Sequence, residues 1–313
     1  MKKYFVIDIG SNTVKYSAYK LFPDGRYEKS AHRSETVRFI HYVRDGIVSE
    51  EGITALCATL GRFQSEADEL RVPRKNRFVF ATASFRRLRD PAAVIDEVER
   101  RVGLRIDLIS GEDEAELSFR GMLSTLDPCP SCGVMLDMGG GSTEVTGFQS
   151  KASGVAREFS VSNPFGSLSL QEQFVAGEYP TPAEAEALRA FVRATVSLPE
   201  KRYLDTDGDK TVHCFAVGGS AKAICTLLGI REGFEFTPGP TPIPAALFRR
   251  QIADYLAGND LAEMKARYPE RYRVLIPALL AYDEIWQMVG ADFIHVPDGG
   301  MRDGYFVGRL LGR

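Results

Sequence analysis

Two hydrophobic periods alternate along this chain. The opening run Tyr4-Phe5-Val6-Ile7 is continuously apolar and ends at Asp8-Ile9-Gly10, which predicts a buried strand feeding a turn. Residues 14–21 read as the return strand, with Pro23-Asp24-Gly25 as the next turn. Residues 28–43 read as further strand and loop. Over 49–70 the period changes, and Ile53, Leu56, Cys57, Leu60 and Phe63 fall on one helical face. Residues 77–83 read as a strand, 91–102 as a helix with proline in its first turn, and 104–109 as another strand. A helix opens at Ser110 and is expected to run to about 126. After a turn-rich break at 126–132, strand, glycine turn and strand recur over 134–148. Residues 183–195 read as a helix, 211–217 as a strand, and 221–228 as a helix. Residues 234–244 are proline-rich and read as an extended loop; the remainder reads as helical, with a short strand at 293–296 and a closing helix after Gly304. Strands, helices and strands again, in two halves, predict an α/β class with duplicated cores. The division is placed at 126/127.

The duplication extends to the turns. Asp8-Ile9-Gly10-Ser11-Asn12-Thr13 and Asp137-Met138-Gly139-Gly140-Gly141-Ser142-Thr143-Glu144 both follow an apolar run with an Asp, a glycine-bearing turn and a Ser or Thr. One such unit is explained by a hairpin turn that needs glycine. Two units, one with three successive glycines, are not, because glycine loses much backbone entropy on folding. Turns with so little side-chain bulk can present backbone N–H groups to an anion. The Asp ending each strand, Asp8 or Asp137, can hold a hydrated cation. A third glycine site, Gly218-Gly219-Ser220, joins a strand to a helix, where free N–H groups favour phosphate. Lys222 follows too closely for a P-loop.

Composition narrows the class. The 313 residues are 44% hydrophobic and 26% charged, with net charge −3, ordinary for a globular protein of two domains and unlike a dedicated nucleic-acid binder. No apolar stretch approaches a bilayer span, and the start carries no signal-peptide pattern, so a cytoplasmic protein without membrane contact is expected. Residues 71–105 nevertheless hold ten Lys/Arg against four acids. Such an excess suits a polyanion, or is a solvated helix face. Cys129 and Cys132 read as incidental loop thiols or a tight disulfide; the other three cysteines are not spaced to complete a zinc site.

Hydrolysis at phosphorus needs a group to deprotonate water. The four histidines, His32, His41, His213 and His295, show no paired pattern, whereas residues 110–116 contain four acids at a helix start. Helix capping accounts for acids there in general but not for four. Arg86, just past a strand end, could hold two phosphate oxygens or pair with a helix acid.

Together these residues resemble the exopolyphosphatase/guanosine pentaphosphate phosphatase family, within the actin, sugar-kinase and heat-shock ATPase superfamily. The resemblance rests on residues 8–13, 81–86, 109–115, 137–144, Gly218-Gly219-Ser220 and Gly299-Gly300-Met301-Arg302-Asp303-Gly304, in family order. It implies two ribonuclease-H-like domains, 1–126 and 127–313, with mixed five-stranded sheets, flanking helices and an active site in the interdomain cleft. The last helix is expected to return to the first domain. It implies Mg²⁺, or Mn²⁺, and hydrolytic release of terminal phosphate. Carried over by position, Glu114 resembles the catalytic base and Arg86 the phosphate clamp. Asp8, Ser11, Asn12 and Thr13 resemble the first phosphate loop, and Gly139, Gly140, Gly141, Ser142 and Thr143 the second. Asp137 and Glu144 resemble the metal carboxylates, with Asp8 reaching the metal through water.

Three positions depart from the family: Glu116 and Ser169 stand where Arg is common, and Arg273 where Asp is expected. Two of these remove basic groups, and the chain ends without the helical module that long members append. Short polyphosphate is therefore the expected substrate, with guanosine pentaphosphate the alternative. A superfamily phosphotransferase or ATPase and a non-catalytic polyanion or alarmone sensor are the readings from other classes. A homodimer stays open.

Overall fold

A computed structural model of the chain describes residues 1–126, 130–152, 154–199 and 212–312. They form two compact units, Met1–Leu117 with Tyr305–Arg313, and Ser118–Gly304.

The first unit contains strands β1 (Lys2–Ile9), β2 (Thr13–Leu21), β3 (Tyr27–Thr36), β4 (Val43–Arg44), β5 (Ile47–Val48), β6 (Arg77–Ala81) and β7 (Ile106–Leu108). Its helices are α1 (Glu50–Glu69), α2 (Ala83–Arg86), α3 (Pro91–Val102) and the first part of α4 (Gly111–Leu123). The main sheet runs β3-β2-β1-β6-β7. β1 is antiparallel to β2 and parallel to β6, so its apolar run is covered on both faces. α1 starts where Ser49 accepts a hydrogen bond from Gly52 N, and it buries Leu56, Leu60, Phe63 and Ala67. α3 starts at Asp90 and stops at Gly103, whose φ of +66° suits a helix C-terminus. The closing segment, Tyr305–Leu310, is wound as a π-helix. Phe306 stacks on Tyr19 at 4.2 Å between ring centroids, which fixes this segment to the first unit.

The second unit contains β8 (Cys132–Met138), β9 (Thr143–Lys151), β10 (Gly154–Asn163), β11 (His213–Val217), β12 (Gly239–Pro244) and β13 (Phe293–Val296). Its helices are α5 (Ser167–Phe174), α6 (Pro182–Thr195), α7 (Gly219–Glu232), α8 (Ala245–Leu256), α9 (Leu261–Arg267), α10 (Tyr272–Val289) and α11 (Met301–Gly304). The sheet runs β10-β9-β8-β11-β13-β12. Its first five strands repeat the order and sense of the first sheet, as duplicated cores require. α10 is buried almost all round and forms the centre of the core.

Three features differ from the sequence reading. The second sheet has six strands, not five, because the proline-rich 239–244 segment pairs antiparallel with β13. Proline is tolerated there because an edge strand need not donate on its outer side. β10 escapes the sequence pattern because its charged and polar residues give a weak apolar stripe; it too is an edge strand. The units divide between Leu117 and Ser118, inside α4, rather than at 126/127. The reason is packing: Phe119, Met122 and Leu126 belong to a core with Met135, Phe148 and Phe215 of the second sheet. Cys129 lies outside the described residues. No helix among the described residues is long and apolar enough to cross a membrane.

Candidate active site

The two predicted turns have one construction. In the first unit, Gly10 N donates to Thr13 O at 3.0 Å; in the second, Gly139 N donates to Ser142 O at 3.0 Å. Each turn is clasped from outside. Val37 N and Arg38 N donate to Asn12 O, and Ile40 N to Ser11 O. Ser167 N donates to Gly139 O, while Leu168 N and Ser169 N donate to Gly140 O, at 3.0–3.1 Å. In a planar trans peptide the C=O and the following N–H point in opposite directions. Pinning the carbonyls of Ser11 and Asn12 therefore turns the amides of Asn12 and Thr13 away from the clasp, and pinning those of Gly139 and Gly140 does the same for Gly140 and Gly141. Outward-turned N–H groups of this kind make an anion cradle. Gly166 allows the second clasp to approach: a Cβ there would lie 2.5 Å from Gly139 O and 2.6 Å from Gly141 N.

Within the first unit, the fold sorts the four acids at the start of α4. Asp113 completes the cap made by Ser110: its carboxylate accepts from Ser110 Oγ, and its own N–H donates back to that oxygen, each at 3.0 Å. Its carboxyl is held below the usual Asp range by those Ser110 bonds and the nearby Arg309, which outweigh partial burial. Glu112 is exposed and Glu116 half-buried. Glu114 alone is buried, at 4% exposure. Arg86 Nη1 reaches it at 2.8 Å and also donates to Ile109 O at 3.1 Å. Arg86 thus pairs with a helix acid, yet its Nε and Nη2 make no hydrogen bond to a described residue, leaving two donors for a phosphate. The two readings of this arginine are compatible.

Within the second unit, Asp137 and Glu144 are direct cross-strand partners. Both are buried, and partners of an antiparallel pair share one face with Cβ atoms about 5 Å apart. Ser118 Oγ donates to Asp137 Oδ2, and Ser162 Oγ to Glu144 Oε1. Two carboxylates side by side on one face are a donor set suited to a divalent cation. Hard cations such as Mg²⁺ are commonly held by one or two carboxylates, with substrate and water completing the shell. Among the described residues no three His, Cys, Asp or Glu side chains come together as a metal cluster. The corresponding partner of Asp8 is Lys15, a base.

The third glycine site adjoins this pair. Gly218 has φ +103°, a conformation glycine adopts readily, and a Cβ on it would lie 3.3 Å from Asp137 Oδ1. Gly219 and Ser220 begin α7 beside Arg271, whose Nη2 donates to Ser220 Oγ at 3.2 Å. Sequence pattern does not single out Arg271; a contact spanning 51 residues leaves no local trace. Burial pulls its guanidinium below the ordinary Arg range, and no described carboxylate pairs with it. Tyr282 Oη donates to Val217 O at 3.2 Å. Burial, helped by the Asp137 charge, pushes this phenol up, so it stays protonated. Thr143 has a structural duty: it is fully buried and its hydroxyl donates to Phe165 O at 2.7 Å. Gly299 and Gly300 serve packing, lying backbone to backbone against Gly121 of α4.

Residues 28–312 match the model of the Ppx/GppA phosphatase family. A bifunctional 3-dehydroquinate synthase/phosphatase of Fusobacterium nucleatum is 25% identical over 305 residues, covering 93% of this chain and 44% of that protein. The chain thus spans less than half of that relative's length. Exopolyphosphatase 1 of Mycobacterium tuberculosis is 22% identical, with 97% and 87% covered. A guanosine-5'-triphosphate,3'-diphosphate pyrophosphatase of Vibrio parahaemolyticus is 22% identical, with 96% and 58% covered. The crystal structure of an exopolyphosphatase from Cytophaga hutchinsonii superposes with a TM-score of 0.84 at 19% identity, over 99% of this chain and 98% of that one. That likeness bears out the expected two-sheet α/β fold. Since the family match runs from residue 28 to residue 312, the chain belongs to the Ppx/GppA phosphatase family.

Proposed function

We propose that the chain hydrolyses phosphoanhydrides, releasing terminal orthophosphate from short inorganic polyphosphate. The observation that carries this is the isolation of Glu114. Of the four acids at the start of α4 it alone is buried, and Arg86 holds it. Glu114 orients the attacking water and takes its proton. Arg86 fixes the carboxylate through Nη1 and offers its remaining donors to phosphate oxygens. The outward-turned amides after Gly10 and Gly139 bind phosphate oxygens without needing to reorganise. Arg271 adds a desolvated positive charge at the start of α7. Asp137 and Glu144 would hold Mg²⁺, or Mn²⁺, which when bound neutralises charge on the phosphoryl group.

Glu114→Gln tests the assignment. A positioned base is worth about 10²–10⁴ in rate, so phosphate release should fall by that factor while tripolyphosphate binding and thermal unfolding stay near the unsubstituted values. A variant with near-normal turnover would remove Glu114 from the mechanism. The name of the Vibrio relative supports guanosine pentaphosphate as the second substrate reading. Parallel assays with tripolyphosphate, long polyphosphate, guanosine pentaphosphate and ATP separate the two; preference for the pentaphosphate reverses our order.

A further inference from the structure

The basic excess over 71–105 splits in two once the chain is folded. Arg77, Arg86, Arg100, Arg101 and Arg105 all pair with carboxylates, among them Asp68, Glu114, Glu97 and Glu99. That part is a neutralised helix and sheet surface. The beginning of the segment behaves differently. Arg71 and Lys75, together with Lys2 and Lys3 of β1, line a cavity of about 530 Å³ that contains no carboxylate in its wall. Lys3 Nζ donates to Leu70 O at 2.7 Å, and Asn76 Nδ2 to Lys3 O at 2.8 Å, so the lysine stem is fixed while its charge meets only a carbonyl. Lys2, Arg71 and Lys75 form no ion pair with a described residue. Arg71 also holds a left-handed backbone, φ +56°, just beyond α1. Glycine or asparagine adopts that conformation at lower cost.

The cavity is remote from the phosphate turn of the same unit. β1 runs from Lys2 beside the cavity to Ile9 before the turn. At about 3.3 Å per residue, eight residues separate the two by roughly 25 Å. We propose that this cavity is an accessory site for a distal stretch of an oligophosphate chain. The proposal rests on the phosphoanhydride hydrolysis stated above and not on its short-chain preference, since only a longer chain spans that distance. The chemistry favours a repeating polyanion. Three ammonium groups act as point charges without directional demands, and one guanidinium supplies a fork. Tyr4 is the sole aromatic side chain in the wall, so the cavity offers no pair of rings to sandwich a base.

The experiment uses the full chain in two arms. Binding of long-chain polyphosphate and of tripolyphosphate is titrated by calorimetry without divalent cation, so this arm does not depend on turnover. The triple variant Lys2→Ser/Arg71→Asn/Lys75→Ser changes exposed side chains, with Asn chosen for its tolerance of the left-handed backbone. It should bind the long chain at least about tenfold more weakly. The log-affinity against log-salt slope should fall by about 2, three lost cations each contributing roughly 0.7. Kinetics with tripolyphosphate should be unchanged. Equal long-chain affinity in variant and unsubstituted protein overturns the proposal, as does failure of the unsubstituted protein to prefer the long chain. A single-stranded oligonucleotide that binds as tightly, and is lost in the same variant, also overturns it and assigns the cavity to nucleic acid. If none of the four substrates is hydrolysed, the proposed activity fails, and the binding arm still shows whether the cavity takes a polyanion.

Discussion

Gly166→Ala is a sensitive test of the second glycine turn. Gly166 has φ −148° and ψ −174°, extended backbone open to any residue, so its requirement for glycine is one of space. An alanine Cβ would sit 2.5 Å from Gly139 O and 2.6 Å from Gly140 C and Gly141 N, where ordinary contact begins at 3.4 Å. All three obstacles are backbone, so no side chain can swing aside. The turn must retreat by about 0.9 Å, which would stretch the bonds from Ser167, Leu168 and Ser169 to its carbonyls, now 3.0–3.1 Å, beyond useful length. Overpacking of this kind costs about 1–3 kcal/mol. A misplacement near 1 Å at a reacting group costs about 10²-fold in rate. The expected result is a folded protein with a modestly lower Tm and phosphate release reduced by about two orders of magnitude. Thermal unfolding with a phosphate-release assay on tripolyphosphate reads both. Activity within threefold of the unsubstituted enzyme would refute the reasoning, because it would mean the amides of this turn need not stand where the clasp holds them.

Gly61 lies inside α1, and a methyl group added there would meet nothing within 4 Å, so Gly61→Ala should stabilise by about 0.5–1 kcal/mol, read as a higher urea midpoint. Burial and the 2.5 Å bond to Glu66 push the Tyr16 phenol up to about 12; a raised value stabilises fully below pH 10 and is lost as pH rises through 12. Tyr16→Phe should therefore be less stable than the unsubstituted protein by about 1 kcal/mol at pH 8, with the gap narrowing above pH 10; a gap constant from pH 8 to 11.5 counts against the assignment. Glu144→Gln should raise the Mg²⁺ concentration for half-maximal activity at least about tenfold, whereas Asp8→Asn should shift it much less; equal shifts would give Asp8 the same weight as Glu144.

The parts of the fold visible in the sequence are those whose signal is local. β1 and β8 are apolar runs ending in Asp and glycine, and α1 and α3 carry their caps in adjacent residues. β12 is hidden because its prolines suppress strand propensity, and only an edge position tolerates them. The site shows the same division. The glycine turns are readable because a turn is a local device. Which of the four acids matters is not readable from spacing, since Asp113 and Glu114 differ by one position and only burial tells cap from candidate base. Family resemblance singles out Glu114, and in the fold it is the buried one of the four. Arg271 joins Ser220 across the chain, and the clasp from Ser167 to Gly139 crosses 28 residues; neither leaves a periodic trace.

The two hairpins have the same shape but opposite electrostatics. Each closes with the same glycine hydrogen bond and each has its outer carbonyls pinned. Across the strands, however, Asp8 faces Lys15 while Asp137 faces Glu144. The first pair sets an acid opposite a base and the second sets two acids side by side, so on the proposed reading the cation belongs with the second. On the proposed reading the two turns share one shape, and the residue pair behind each decides which of them takes the metal. Sequence pattern alone does not display this contrast. An Asp before a glycine turn looks identical in both copies, and the distinction lies seven residues further on, in the side chain that the return strand brings back opposite it.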